Sequence, residues 1–422
     1  MGQKSRKRVV VTGMGAVSCF GTDVQLFHEA LIQGQSGVKT IDAFDASDYP
    51  TRIAAQVAAY DPAHYMDRKQ ARRVDPFIAY AMIAGKKALE MAGFQLNQLS
   101  GIDTHRCGVV IGSGMGGMRY FEEGLDTIRE KSYRRLTPFF IPYIITNMAG
   151  ALLGIDLGFK GPNYSVSTAC ATANYSIMMA AKHIQNHEAD LMICGGTEAS
   201  INSPGLAGFV AIKALSERND DPSKASRPWD RSRDGFVMGE GCGALVLESL
   251  EHALKRNAPI LAELKGGAIN TDAYHMTDPR PDGSGVEQCV RLALEEANLA
   301  CEEINYINAH ATSTPVGDLC EIRGLKKVFG DHASNIYINS TKSMIGHCLG
   351  AAGGLEAVAT LMAMHTGILH PTINCLDPDE ELHPFKISLD RPVHQKITGA
   401  LSNSFGFGGH NSCLIFTPYT GR

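Results

Sequence analysis

Tryptophan occurs once in this chain of 422 residues, and none of its eleven cysteines stands in a C-x-x-C pair. The missing pairs exclude the usual structural zinc sites, and a large chain with scattered thiols is no disulfide scaffold. The thiols are therefore read as reduced, which points to a cytoplasmic compartment. An excess of positive charge is missing too. At a formal net charge of −5, a general nucleic-acid binder, which must neutralise phosphates, is excluded. Long apolar runs are also missing at the N-terminus. Basic residues through Arg8 lead only into Val9 to Thr12 before Gly13, too short for a signal-peptide core or a membrane span. Arg6 takes the place of Ser or Thr in the pattern that would mark Gly2 for myristoylation. What remains, 44% hydrophobic and 20% charged residues, is a globular chain long enough for two core-bearing units.

The order of predicted elements repeats. Strands are expected over Arg8 to Thr12, Cys107 to Ile111, Asp190 to Cys194 and Gly243 to Glu248, with a helix opening at Cys170. In the second half, strands are expected over Ile260 to Lys265, Tyr306 to Ala309, Gly399 to Asn403 and Ser412 to Phe416, with a small-residue helical region from Met344 to His365. Alternating strands and helices imply an α/β class built from parallel units. The halves are placed at 1–250 and 260–422, joined near Ser249 to Pro259. Two stretches interrupt the repeat, Met115 to Lys160 and Ile201 to Asp234, and the apolar run Pro138 to Ile145 in the first suggests a buried or interfacial role.

Chemistry concentrates in three segments. Cys170 lies where a β-prone run passes into Ala169 to Ile184, so a thiol stands at a helix start, where unpaired N–H groups favour the thiolate. His310 and His347 each follow a β-branched strand among small residues that leave room for a ligand. A free cysteine is more often structural, and a lone histidine more often a satisfied polar group. One Cys with two His is, however, the pairing that nucleophilic acyl chemistry needs. Gly112 to Gly117 fits G-x-G-x-x-G, but no strand ending in an acidic residue follows, so a dinucleotide site is rejected.

From Val9-Val10-Val11-Thr12-Gly13 to Asn403-Ser404-Phe405-Gly406-Phe407-Gly408-Gly409, several motifs in order give the chain a resemblance. It resembles the elongating β-ketoacyl-acyl-carrier-protein synthases of the thiolase superfamily. The resemblance implies a duplicated five-layered α/β/α/β/α fold, a homodimer, and no cofactor beyond the phosphopantetheine carried by the substrates' acyl carrier protein. It implies Cys170, His310 and His347 as catalytic residues, with Lys342 and Glu356 tuning the second imidazole. Backbone N–H groups of Cys170 and Phe407 would form the oxyanion hole, and Phe407 would gate acyl entry. Thr312 and Thr314 would meet the pantetheine arm, Met115 would floor the acyl pocket, and Phe209 would join them in binding substrate. Arg72, Arg73, Arg134, Arg135 and Lys213 would receive the acidic carrier.

The activity implied is decarboxylative condensation of an acyl group on Cys170 with malonyl-carrier in fatty-acid elongation. A second His favours it over the Cys-His-Cys of thiolases and the Cys-His-Asn of initiating synthases. A polyketide ketosynthase, a coenzyme-A-dependent thiolase and a noncatalytic chain-length subunit stand as alternatives. Ala311 departs from the family, which usually has Gly after the first catalytic His.

Overall fold

The computed structural model describes residues 5–99 and 101–421, so the myristoylation reading at Gly2 lies outside it. Eleven strands make one sheet: β1 (Val9–Val17), β2 (Cys107–Gly112), β3 (Asn163–Tyr164), β4 (Leu191–Glu198), β5 (Gly241–Ser249), β6 (Ala262–Thr271), β7 (Tyr306–Asn308), β8 (Tyr337–Asn339), β9 (Lys386–Ile387), β10 (Ala400–Gly406) and β11 (His410–Thr417). From the middle outward, one side runs β1-β5-β4-β2-β3 and the other β6-β11-β10-β7-β8, with β9 added at the edge. Numbered within its own half, each side has the same order, first-fifth-fourth-second-third. The seam is the antiparallel pair β1 and β6, through Val10 with Glu263 and Val11 with Ala262. Between β5 and β6 a short helix, Leu250–Lys255, fills the expected join.

The expectation of purely parallel units is corrected. Pairs β2–β4 and β7–β10 are parallel, whereas β4–β5, β5–β1, β10–β11 and β11–β6 are antiparallel. The sheet is mixed because the last strand of each half returns beside its predecessor; at β10–β11 the three-residue turn Phe407 to Gly409 leaves no room for a crossover helix.

Helices complete five layers. Helix α1 (Pro76–Met91) covers β1, β4 and β5 from outside; Asp75 caps it by accepting from Phe77 N at 3.3 Å, and Pro76 supplies a preset φ. Helix α2 (Met118–Glu130) belongs to the first insertion. Helices α3 (Thr172–Gln185) and α7 (Ala352–Thr366) lie between the two halves, each touching strands of both. Helix α4 (Ser203–Ala211) belongs to the second insertion, and α5 (Ser284–Ala297) with α6 (Gly317–Phe329) forms the far outer layer. Residues Ala352 to Ala363 of α7 are all buried, so this helix carries no polar face to solvent. Its approach to β5 needs glycines: a Cβ on Gly243 would lie 2.0 Å from the Gly354 carbonyl carbon. Among the described residues, no helix is long and apolar enough to cross a membrane.

Candidate active site

Cys170 precedes α3 by two residues, after a turn that the backbone resists. Ala169 has φ 49°, a left-handed angle that costs a non-glycine residue about 1–2 kcal/mol. Three contacts hold it: Ala171 N donates to Thr168 O at 3.1 Å, Thr168 N to Thr172 Oγ1 at 2.9 Å, and Ser404 Oγ to Cys170 O at 2.8 Å. Gly406 is needed because a Cβ there would stand 3.0 Å from Cys170 N, so the β10–β11 turn closes over the nucleophile's N–H. The sequence placed Cys170 on the helix itself and expected a thiolate. Burial instead pushes the thiol up to about 12, with the Lys342 ammonium pulling weakly the other way. At rest the group is a thiol, because desolvation of the anion outweighs the dipole of a helix that starts further on.

His310 follows β7, and α6 sets its place. Glu321 accepts from His310 N at 3.0 Å, from Ala311 N at 2.9 Å and from Asn403 Nδ2 at 3.0 Å, tying the histidine loop to β10. His347 is held through its backbone: its N–H donates to Val237 O at 2.7 Å and its O accepts from Gly239 N at 2.9 Å. The two imidazoles meet edge to face at 5.3 Å, and Phe405 and Phe236 pack against His310 and His347 at 5.5 and 5.2 Å. Burial, then the Lys342 charge, drives both histidines well below their ordinary range. Both rings are therefore neutral, each with an Nδ1 that has no partner among the described residues. Lys342 and Glu356 form a fully buried ion pair beside them. Desolvation raises the Glu356 carboxyl to about 7, against the pull of Lys342.

Cys170 and the two imidazoles share a cavity of about 380 Å³. Cys170, His310 and His347 line it with Phe209, Phe407, Thr312, Thr314 and Lys213. The two threonine hydroxyls lie 3.0 Å apart, and Phe209 stacks edge-on to Phe236 at 5.4 Å. Met115 does not join them: its backbone N–H is fixed to Glu198 at 3.1 Å while its side chain is exposed on this chain. Arg72, Arg73, Arg134 and Arg135 are also exposed and away from the cavity wall. Arg134 and Arg135 lie in a turn that packs on α2, which packs on α4 just before Lys213 at the cavity rim.

Two buried carboxylates escaped the sequence reading. Glu321 was hidden as one charge in an amphipathic helix; the available signal was Asp318 three residues earlier on the same face as Ile322 and Leu325. Glu198 accepts from Gly114 N, Met115 N, Gly350 N and Ser113 Oγ at 2.9–3.1 Å. A protein carboxylate thus takes the N–H groups that a phosphate would need in the G-x-G-x-x-G segment.

The β-ketoacyl synthase N-terminal domain family matches residues 6–253, and its C-terminal domain matches residues 261–376. The chain belongs to the β-ketoacyl synthase family. Among curated relatives, it is 57% identical to the chloroplastic 3-oxoacyl-[acyl-carrier-protein] synthase I of Hordeum vulgare, over 98% of this chain and 90% of that one. It is 47% identical to 3-oxoacyl-[acyl-carrier-protein] synthase 2 of Coxiella burnetii, over 98% and 99%. Among solved structures, a β-ketoacyl synthase from Burkholderia phymatum superposes with TM-score 0.90 at 35% identity, covering 98% of this chain and all of that one. A type II polyketide ketosynthase in complex with its acyl-carrier protein gives TM-score 0.90 at 32% identity, over 98% and 100%. Within this β-ketoacyl synthase, Ala311 takes an ordinary backbone angle, outside the left-handed region where its methyl would be strained.

Proposed function

We propose that the protein elongates fatty acyl chains by decarboxylative condensation with malonyl-acyl carrier protein. The observation that carries this reading is the Cys170 thiol lining a single cavity with the neutral imidazoles of His310 and His347. In the first half-reaction Cys170 Sγ attacks the acyl thioester, its S–H proton ends on the departing pantetheine sulfur, and the acyl group stays on Cys170. N–H groups of Cys170 and Phe407 face the developing oxyanion. In the second, malonyl-carrier loses carbon dioxide, and the enolate oxygen accepts hydrogen bonds from His310 and His347. Imidazoles kept neutral donate N–H without gathering the extra positive charge that would hold the malonyl carboxylate. Attack of the enolate carbon on the Cys170 thioester releases 3-oxoacyl-carrier and a thiolate, which one solvent proton restores. Burial keeps the rings uncharged and the Lys342 ammonium adds to it, while Glu356 holds that ammonium in place.

Acyl carrier protein is the partner proposed for the rim of Lys213, Arg134 and Arg135, with Arg72 and Arg73 beside α1. The phosphopantetheine comes with the substrates, and no further cofactor is proposed. Phe121, Ile128, Phe139, Ile141 and Ile155 expose apolar surface on the first insertion, and this supports a homodimer that covers it and brings Met115 to the partner's side of the acyl pocket. All eleven cysteines are free, in keeping with a reducing compartment such as the cytosol or a plastid stroma. A thiolase reading is disfavoured because Gly406 to Gly409 offers no second cysteine base, and the other thiol on the cavity wall, Cys320, donates to Arg280 O at 3.1 Å. The polyketide neighbours keep a ketosynthase of that pathway as the second reading.

The test is incubation with acyl-carrier, peptide mass spectrometry, then addition of malonyl-carrier. The expected result is an acyl adduct on Cys170 followed by a 3-oxoacyl product two carbons longer. His347→Ala should form the adduct while carbon dioxide release falls about 100-fold or more. An adduct on another cysteine, or products built only by repeated condensation without reduction between rounds, would replace this reading.

A further inference from the structure

Behind the two catalytic histidine segments lies a chain of buried hydrogen bonds that the condensation mechanism does not use. It centres on His370, 1% exposed, in the strand-like segment after α7. Its Nδ1 lies 2.9 Å from Pro371 O and its Nε2 lies 2.9 Å from Thr341 Oγ1. A carbonyl oxygen only accepts, so Nδ1 carries the ring proton and Nε2 is the acceptor. The Thr341 hydroxyl must then donate to Nε2, which leaves its lone pairs to receive Asn308 Nδ2 at 2.9 Å. A second branch runs from Tyr306 O–H to Asn339 Oδ1 at 2.9 Å, and Asn339 Nδ2 donates to His370 O at 2.9 Å. Burial holds the His370 ring neutral by lowering its proton affinity to about 4. With Nδ1–H given to Pro371 O, the longer 3.3 Å approach of Asn339 Nδ2 to Nδ1 is no hydrogen bond, and every donor in the chain has one direction.

The ends of this chain carry chemistry. Asn308 is the last residue of β7, two before His310; Thr341 directly precedes Lys342, whose ammonium is paired with Glu356 and acts on both imidazoles. The strand leading to one catalytic histidine and the short helix carrying the lysine are bridged by one hydroxyl, and that hydroxyl is oriented by His370. We propose that His370, acting through Thr341, is a positioning residue that fixes the spacing between His310 and Lys342 and so sets the rate of decarboxylation. It touches neither substrate nor thiol. Its effect is mainly on the second half-reaction, because His310 meets the enolate there, whereas at Cys170 burial outweighs the pull of Lys342.

This rests on the condensing activity proposed above, and the experiment separates the two. Thr341→Val keeps the shape but removes both the donor to His370 and the acceptor for Asn308; Thr341→Ser keeps both. With saturating malonyl-carrier and acyl-loaded enzyme, Thr341→Val and His370→Phe should each lower kcat for carbon dioxide release about tenfold or more. KM for malonyl-carrier and the rate of Cys170 acylation should stay within about twofold of the parent, and Thr341→Ser should recover most of kcat. The double variant Thr341→Val/His370→Phe should lose no more than the worse single one, since both break the same bridge. Unchanged kcat in both single variants, or loss of loading and decarboxylation together without rescue by Ser, would overturn the assignment. If the parent itself forms no 3-oxoacyl product, the condensing function fails instead.

Discussion

Cys170 and the two histidines are ordinary residue types made unusual by burial. A thiol raised to about 12 is mostly protonated at neutral pH, and each unit of rising pH multiplies its thiolate fraction about tenfold until that value is approached. Alkylation of Cys170 by iodoacetamide should therefore accelerate steadily from about pH 7 to pH 10, with a slope near one on logarithmic axes. A plateau that begins near pH 7 would show a thiolate already present at rest. The three reactive residues were legible in the sequence because each sits in a segment of small residues that leaves room for a cavity; only His310 stands just past a strand, since the short helix Lys342–Ile345 separates His347 from β8 and Cys170 lies before α3. Glu321 and His370 were not legible, because their work is done through partners on other elements. A carboxylate in an amphipathic helix looks like a solvated charge until Asn403 and the His310 loop are brought to it.

Elements here are specified by what they can approach. The sequence order of strands survives almost unchanged in the structure because the first-half strands are β-branched or apolar runs buried on both faces. Pairing direction was not legible, since the same apolar run suits a parallel or an antiparallel neighbour, and only the connection decides. Between β5 and α7, Gly243 and Gly354 pack with no side chain between them. Gly354→Ala would set a Cβ 2.5 Å from Gly243 O, and should destabilise the fold by about 3 kcal/mol, measured by denaturant unfolding. A loss under about 1 kcal/mol would mean that the layers separate easily. At the outer layer, Asp75 accepts from both Phe77 N and Tyr120 N, joining α1 to the first insertion. Asp75→Ala should cost about 1–2 kcal/mol, and Asp75→Asn, which keeps an acceptor, clearly less.

On the scale of the whole molecule, the duplication explains where the site lies. Cys170 stands just before α3 and His347 before α7, the two helices between the halves, and His310 follows β7, so residues from both halves reach one cavity. That convergence was implied by the resemblance, and the apolar run Pro138 to Ile145 already suggested a buried or interfacial role for the first insertion. The docking proposed above brings the carrier from solvent past Lys213, and an acidic partner would be steered by that rim. Raising ionic strength from about 50 to 300 mM should increase KM for malonyl-carrier several-fold with little change in kcat, and Arg134→Glu/Arg135→Glu should mimic it at low salt. A KM indifferent to both would place docking elsewhere.

Decarboxylation in this site depends on two imidazoles that stay uncharged beside an acylated thiol. Carbon dioxide release from malonyl-carrier, measured on enzyme already acylated at Cys170 between about pH 5.5 and 7.5, tests this directly. Because burial holds both rings well below the ordinary 6.5, the rate should be nearly flat across that window. A rate that halves near pH 6.5 and then falls about tenfold for each further unit of acidity would contradict it, by showing that an essential ring takes up a proton where an exposed histidine does.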